Sequence, residues 1–240
     1  PPVLIVCTTL ERLLPRMEDA TAMLRLLVRS ATGQPQTCYT SFYSGPRREG
    51  DSDGPLETHI VLLDNGRSEL LASDYGDMLQ CIRCGACLNH CPIYAGVGGH
   101  SYGSVYMGPM GSVLTPLLSS LEASHTLPNA CTSCGRCAEV CPASIPLPDL
   151  LRDLRHEETR QKLSAPALRR GLKLHAWLLR RPPLYRLLLS PAVRLLHLLG
   201  RRRGVIRKLP LASGWSGQRD FPAPQGKTFL HQYREARREQ

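Results

Sequence analysis

The sequence predicts an α+β chain in three parts. A short α/β piece comes first, then a mostly helical cysteine-rich domain, then a basic helical tail. Three observations carry this reading. Strand-like and helical patterns alternate only before residue 66. Eight of the ten cysteines fall between residues 81 and 142. Charge is divided sharply, with 9 Lys/Arg against 14 Asp/Glu in residues 1–150 and 21 against 6 in residues 151–240, so that −5 is followed by +15. The expected boundaries are 1–66, 67–163 and 164–240.

The first part opens with a β-rich run, Val3 to Cys7. A helical stretch over Glu18 to Val28 places Leu24, Leu27 and Val28 on one face. Ala31 to Pro35 reads as a stop and turn. Thr37 to Tyr43, rich in Thr, Tyr and Phe, predicts a strand. Gly45 to Pro55 predicts a surface loop, and His59 to Leu63 a further strand ending at Asp64-Asn65-Gly66. These few elements are too small to close a core alone and read as the end of a larger α/β domain. Cys7 and Cys38 lie in apolar or strand-like surroundings, where a buried free thiol is the expectation.

Ser68 to Gln80 predicts a helix leading into the cysteine region. Cys81-Ile-Arg-Cys84-Gly-Ala-Cys87-Leu-Asn-His-Cys91-Pro92 is followed by a second copy, Cys131-Thr-Ser-Cys134-Gly-Arg-Cys137-Ala-Glu-Val-Cys141-Pro142. Both read C-x2-C-x2-C-x3-C-P, the spacing that holds cubane iron–sulfur clusters. Three thiolates at two-residue intervals wrap one cube. The fourth, placed to start a helix with Pro in its first turn, points away toward the other cluster. The spacing therefore predicts two 4Fe-4S clusters, one on Cys81, Cys84, Cys87 and Cys141 and the other on Cys131, Cys134, Cys137 and Cys91. Structural zinc would leave cysteines over. A disulfide framework needs an oxidising compartment, and no secretory signal is visible. Cytoplasmic placement follows as the expectation.

The 39 residues between Cys91 and Cys131 begin rich in Gly and Tyr. No GxGxxG or GxxxxGK[ST] pattern is present, so these glycines read as a close-packed loop that lets backbone approach a cluster, not as a phosphate site. Ser112 to Leu121 predicts a helix. With eight thiolates supplied, His90 and His100 are not needed as ligands. After Pro142, Ile145-Pro-Leu-Pro-Asp149 starts a helix through about Lys162. Residues 167–181 form an amphipathic helix, with Leu168, Leu172, Ala176 and Leu179 opposite a set of Arg and Lys. Pro182-Pro183 is read as a break, and Leu184 to Leu199 as a second leucine-rich piece interrupted at Ser190-Pro191. The last thirty residues, with Trp215 and Phe221 as isolated anchors, read as a surface wrap. No apolar run approaches the ~18–20 residues that span a bilayer.

The motif stretch, with Val61-Leu-Leu-Asp-Asn-Gly-Arg-Ser68 before it, resembles the lactate-utilisation iron–sulfur protein B family. Gly98-Gly-His-Ser-Tyr-Gly103, Gly108-Pro-Met-Gly-Ser-Val-Leu-Thr-Pro116, Ile145-Pro-Leu-Pro-Asp-Leu-Leu151, Gly214-Trp215 and Arg219-Asp-Phe-Pro-Ala-Pro224 continue the resemblance, as do Glu11-Arg-Leu-Leu-Pro15 and Ala31-Thr-Gly-Gln34. It is most specific over 58–155. The family implies an electron-transfer subunit of an L-lactate oxidising system, partnered by its other subunits, and about twice this length. In many of its members the position of Cys131 is not cysteine. A related 2-hydroxy acid or disulfide-reducing complex is the alternative within the class, and a nucleic-acid-binding protein with structural clusters the alternative outside it. The tail has little aromatic interleaving for base stacking, which argues against nucleic acid as a partner. Residues 167–203 instead suit peripheral contact with an anionic membrane.

Overall fold

The computed structural model describes residues 2–209 and 216–238. Trp215, expected as a surface anchor, lies outside them. The chain divides into two compact units, residues 1–164 and 165–240.

In the first unit β1 (Val3–Thr9) is followed by a 3-10 turn at Leu10–Arg12, α1 (Met17–Thr32) and β2 (Glu57–Leu63). The strands pair in parallel, with Cys7 opposite Val61. Helix α1 starts with Glu18 and Asp19 in its first turn and stops at Gly33 in the left-handed conformation, both favourable to the helix ends. Two corrections belong here. Thr37–Tyr43 forms no strand, and Tyr39 is 97% exposed. Strand propensity needs a neighbouring edge, and β1 and β2 pair only with each other in this sheet. Cys7 and Cys38 are exposed, not buried, because a two-stranded sheet has no layer over Cys7 and residues around Cys38 are irregular.

The cysteine region is built from short helices: α2 (Arg67–Leu71), α3 (Ala86–Asn89), α4 (Pro92–Val97), α5 (Gly108–Leu118), α6 (Leu121–Ser124), α7 (Thr126–Asn129), α8 (Arg136–Glu139) and the longer α9 (Leu147–Gln161). The single helix expected over Ser68–Gln80 is interrupted. It ends at Leu71 and resumes as a 3-10 turn at Gly76–Gln80, where a Cβ on Gly76 would lie 2.8 Å from the Leu71 carbonyl oxygen. Helix α5 begins four residues earlier than expected and is buried from Gly108 to Leu114, the pattern of a central core helix. Its glycines serve close packing. A Cβ would meet Leu88 at 2.7 Å from Gly108 and the Tyr106 carbonyl at 2.2 Å from Gly111. Helix α9 lays Leu147, Leu150, Leu151 and Leu154 against Met78, Met110, Val113 and Leu114, and this core separates the two cysteine loops from solvent on their inner sides.

The second unit holds α10 (Pro166–Leu179), α11 (Pro182–Gly200), a two-residue ladder of β3 (Val205–Ile206) with β4 (Phe221–Pro222), and α12 (Phe229–Arg238). Pro182-Pro183 opens α11, since Pro suits the first turn. The expected interruption at Ser190-Pro191 is absent. Pro191 is exposed, so the Leu187 carbonyl it leaves without a helical donor is on the solvent side. The tail thus carries a regular helix, α12, rather than only a surface wrap.

Candidate metal centres

The two cysteine motifs fold into nearly identical loops. The residue before the second cysteine is left-handed in each, Arg83 at φ 57° and Ser133 at φ 57°, and the following Gly85 and Gly135 are left-handed too, at 78° and 81°. Two consecutive turns of that hand curl the chain so that its first three thiols face one side. The turned backbone also aims amides at sulfur: Arg83 N–H donates to Cys81 Sγ at 3.4 Å, and Ser133 N–H to Cys131 Sγ at 3.2 Å. A short helix then starts at Ala86 and at Arg136, carrying Cys87 and Cys137 on the first turn.

The fourth cysteines leave the loops differently. Cys91 caps α4 and accepts from Tyr94 N–H, with Pro92 at the first helical position, as the spacing predicts. Cys141 does not start a helix. The chain turns at Ser144, with φ 54°, and α9 begins only at Leu147. Pro146 and the buried Ile145 set that later start.

The structure gathers the cysteines into two cavities. One, of about 320 Å³ including its open mouth, is lined by Cys81, Cys84 and Cys87 together with Cys141, and closed by Met78, Met110 and Ile145. The other, of about 410 Å³ on the same measure, is lined by Cys131, Cys134 and Cys137 together with Cys91, beside Tyr102 and Leu151. Each cavity therefore holds three thiols from one motif and the last thiol of the other. Among the described residues no three His, Cys, Asp or Glu side chains converge closely enough for a lone metal ion; the thiols ring a space instead. His90 lines the second cavity, its Nδ1 3.0 Å from the Ala86 carbonyl. His100 is exposed.

Burial dominates the chemistry of these thiols. It pushes Cys87 up to about 12, against the opposing Met110 N–H, and Cys137 up to about 11, with Cys131 adding to the rise. Cys81 is raised by the same desolvation, partly offset by the Arg83 N–H and by Arg12. Thiols held this way stay protonated unless a multivalent cation neutralises the thiolates, which is what an iron cluster supplies. Four soft donors per cavity and amides directed at sulfur fit a cubane cluster.

Several residues outside the motifs hold the loops. Arg155 of α9 donates from Nε to the Pro128 carbonyl at 2.8 Å and from Nη2 to the Cys131 carbonyl at 2.6 Å. One turn on, buried Glu158 accepts from Asn129 at 2.6 Å and Ser164 at 2.8 Å. On the other loop, Glu11 bridges two cations. Its Oε1 lies 3.3 Å from Arg83 Nη2, and its Oε2 2.9 Å from Arg67 Nε, an ion pair whose angle falls short of a hydrogen bond. Burial works to raise the Glu11 carboxyl, yet hydrogen bonds from Thr9 and its own backbone, with the positive charge of Arg67, outweigh it and hold it below the ordinary value. Arg83 also lies over the Tyr106 ring, 4.8 Å from its centre. None of these partners is signalled by motif spacing. Only the i, i+3 placement of Arg155 and Glu158 along a leucine-striped helix hints at a shared target.

Comparison with known proteins points to the same class of cofactor. Residues 77–145 match the 4Fe-4S dicluster domain, and residues 1–63 match the LUD domain. Lactate utilization protein B from Bacillus thuringiensis (strain Al Hakam) is 41% identical over 238 residues, as is that from Bacillus anthracis (strain A0248). The chain is a relative of lactate utilization protein B. The match covers 98% of this chain and 50% of each relative, so the chain spans about half the length of the curated relatives it matches. No solved structure matches it. The α+β class and the iron–sulfur character of the central domain stand.

Proposed function

We propose that the chain is an iron–sulfur electron-transfer subunit of an L-lactate-oxidising system, working with that system's other subunits. In this reading Cys81, Cys84, Cys87 and Cys141 hold one 4Fe-4S cluster and Cys131, Cys134, Cys137 and Cys91 a second. Residues 67–163 are the electron-transfer domain between the α/β piece, 1–66, and the basic region, 164–240. The observation that carries it is the pair of cavities, each lined by three thiols of one motif and the last thiol of the other. The lactate assignment rests on the similarity to lactate utilization protein B.

Bound clusters would supply reversible one-electron chemistry. The protein's own groups do the rest. The eight cysteines provide the thiolates, and the Arg83, Ser133, Tyr94 and Met110 amides donate to sulfur. Such donors favour the more negative, reduced state. Met78, Met110, Ile145 and Leu151 keep water from the inner walls.

Anaerobic reconstitution followed by iron counting and EPR tests the scheme. Cys91→Ser should perturb the cluster of Cys131, Cys134 and Cys137 and spare that of its own motif. Cys7→Ser and Cys38→Ser should leave the iron content unchanged. Loss of the same EPR signal in Cys91→Ser and Cys81→Ser would refute crossed ligation.

A further inference from the structure

Among the described residues, β4 and the segment after it pack on one side of α11. There Gly200 is buried so closely that a Cβ would meet Ala223 at 2.4 Å, and His197 Nδ1 lies 2.8 Å from the Pro224 carbonyl. The opposite side of the same helix carries Leu187, Pro191, Leu195 and Leu198, spaced four, four and three residues apart, which is one continuous helical stripe. Those leucines are 70%, 59% and 64% exposed. Helix α10 contains no buried residue, and its Leu168, Leu172 and Leu179, again on one face, are also exposed. Trp177 lies on the opposite, cationic face of α10, with the Arg181 guanidinium 4.1 Å from its ring centre.

Charge identifies the occupant. From residue 165 to 209 there are twelve Lys/Arg and not one Asp or Glu, with Arg201, Arg202 and Arg203 directly at the end of α11. A second copy of the chain would bring the same cations against themselves, so self-association through this face is opposed by repulsion. A surface that is apolar and densely anionic satisfies both features at once. No described helix is long and apolar enough to cross a membrane, so such helices would lie on a bilayer, not span it.

We propose that α10 and α11 form a docking surface for an anionic lipid bilayer, with the leucine stripes entering the acyl boundary and the Arg clusters meeting the headgroups.

Co-sedimentation of the full chain with vesicles of phosphatidylglycerol and phosphatidylcholine, against vesicles of phosphatidylcholine alone, tests this. Binding is expected to the anionic vesicles, to weaken as salt is raised, and to be far weaker on neutral ones. Replacing Arg201, Arg202 and Arg203 by Gln should weaken it about a hundredfold at low salt. Leu187→Ser with Leu198→Ser should weaken binding while leaving its salt dependence unchanged. The unsubstituted chain alone decides the matter: no binding to anionic vesicles, equal binding to neutral ones, or capture by polyglutamate without any lipid binding overturns the proposal. The assay reads no cluster, so its failure would leave the electron-transfer reading untouched.

Discussion

Arg155 offers a direct measure of how far the second cysteine loop depends on contacts outside its motif. Its guanidinium makes two charge-assisted bonds, at 2.8 Å to the Pro128 carbonyl and 2.6 Å to that of Cys131. Hydrogen bonds from charged groups contribute about 1.5–3 kcal/mol each. Arg155 is only half-buried, so the lower end applies, and Arg155→Met should cost about 3 kcal/mol locally. Since about 1.4 kcal/mol is tenfold in an equilibrium constant, the loop's opening population should rise by about a hundredfold. Amide exchange reads this directly. The Ala130 N–H, bonded to Leu127, and the Ser133 N–H, bonded to Cys131 Sγ, should exchange about a hundredfold faster. The Arg83 N–H, on the other loop, should not change. Acceleration below about threefold at Ala130 and Ser133, or equal acceleration at Arg83, would refute the assignment of Arg155 as the tether.

Two further substitutions probe the first loop. Glu11→Gln leaves the Arg67 guanidinium, 6% exposed, without its ion partner, and breaking a buried pair costs about 3–5 kcal/mol. Protease sensitivity of residues 1–32 should rise. Because the folded Glu11 carboxyl titrates below its ordinary 4.5, the pair's contribution is complete above pH 4.5 and is lost as pH falls through the lower folded value. A comparison of wild type and Glu11→Gln across that window checks the sign. Arg12→Gln should lower the midpoint potential of the cluster held by Cys81 and leave the other unchanged, because Arg12 favours the charged form of Cys81 and a nearby cation favours the more reduced state. An EPR-monitored redox titration in which both potentials move together would contradict it.

What could be read from the sequence divides by range. Cysteine spacing is local, so the two motifs were visible as a pattern, as was the pairing of each motif's first three thiols with the other's last that lines the two cavities; the helix from Leu147 was announced by the prolines at its start. Long-range partners leave no such trace. Arg155, Glu158 and Asn129 look like ordinary surface residues until α9 lies beside the loop at Pro128–Cys131. Thr37–Tyr43 has every strand-forming residue and no neighbouring strand to pair with. Cys7 sits in an apolar run whose strand has no covering layer. The helix expected after Cys141 failed for a local reason that the spacing alone conceals: Ser144 turns left-handed, and Pro146 delays the helix until Leu147.

The two cysteine loops share a backbone, and their surroundings set them apart. At the left-handed position the first loop carries Arg83 and the second Ser133. Arg83 reaches Glu11, and Arg12 acts on Cys81; both come from the 3-10 turn between β1 and α1. The α/β segment therefore contributes more than a neighbouring surface. Its tip holds the first loop through the Glu11–Arg83 contact, beside the buried Glu11–Arg67 pair, and brings the Arg12 guanidinium within electrostatic reach of that loop's first thiol. The second loop draws its support from α9, inside the cysteine region itself, through Arg155 to a backbone carbonyl. A movement of the α/β segment would therefore act on the environment of one cysteine loop more than on the other. On the proposed reading, in which each loop holds a cluster, such a movement would alter the energy difference between the two centres.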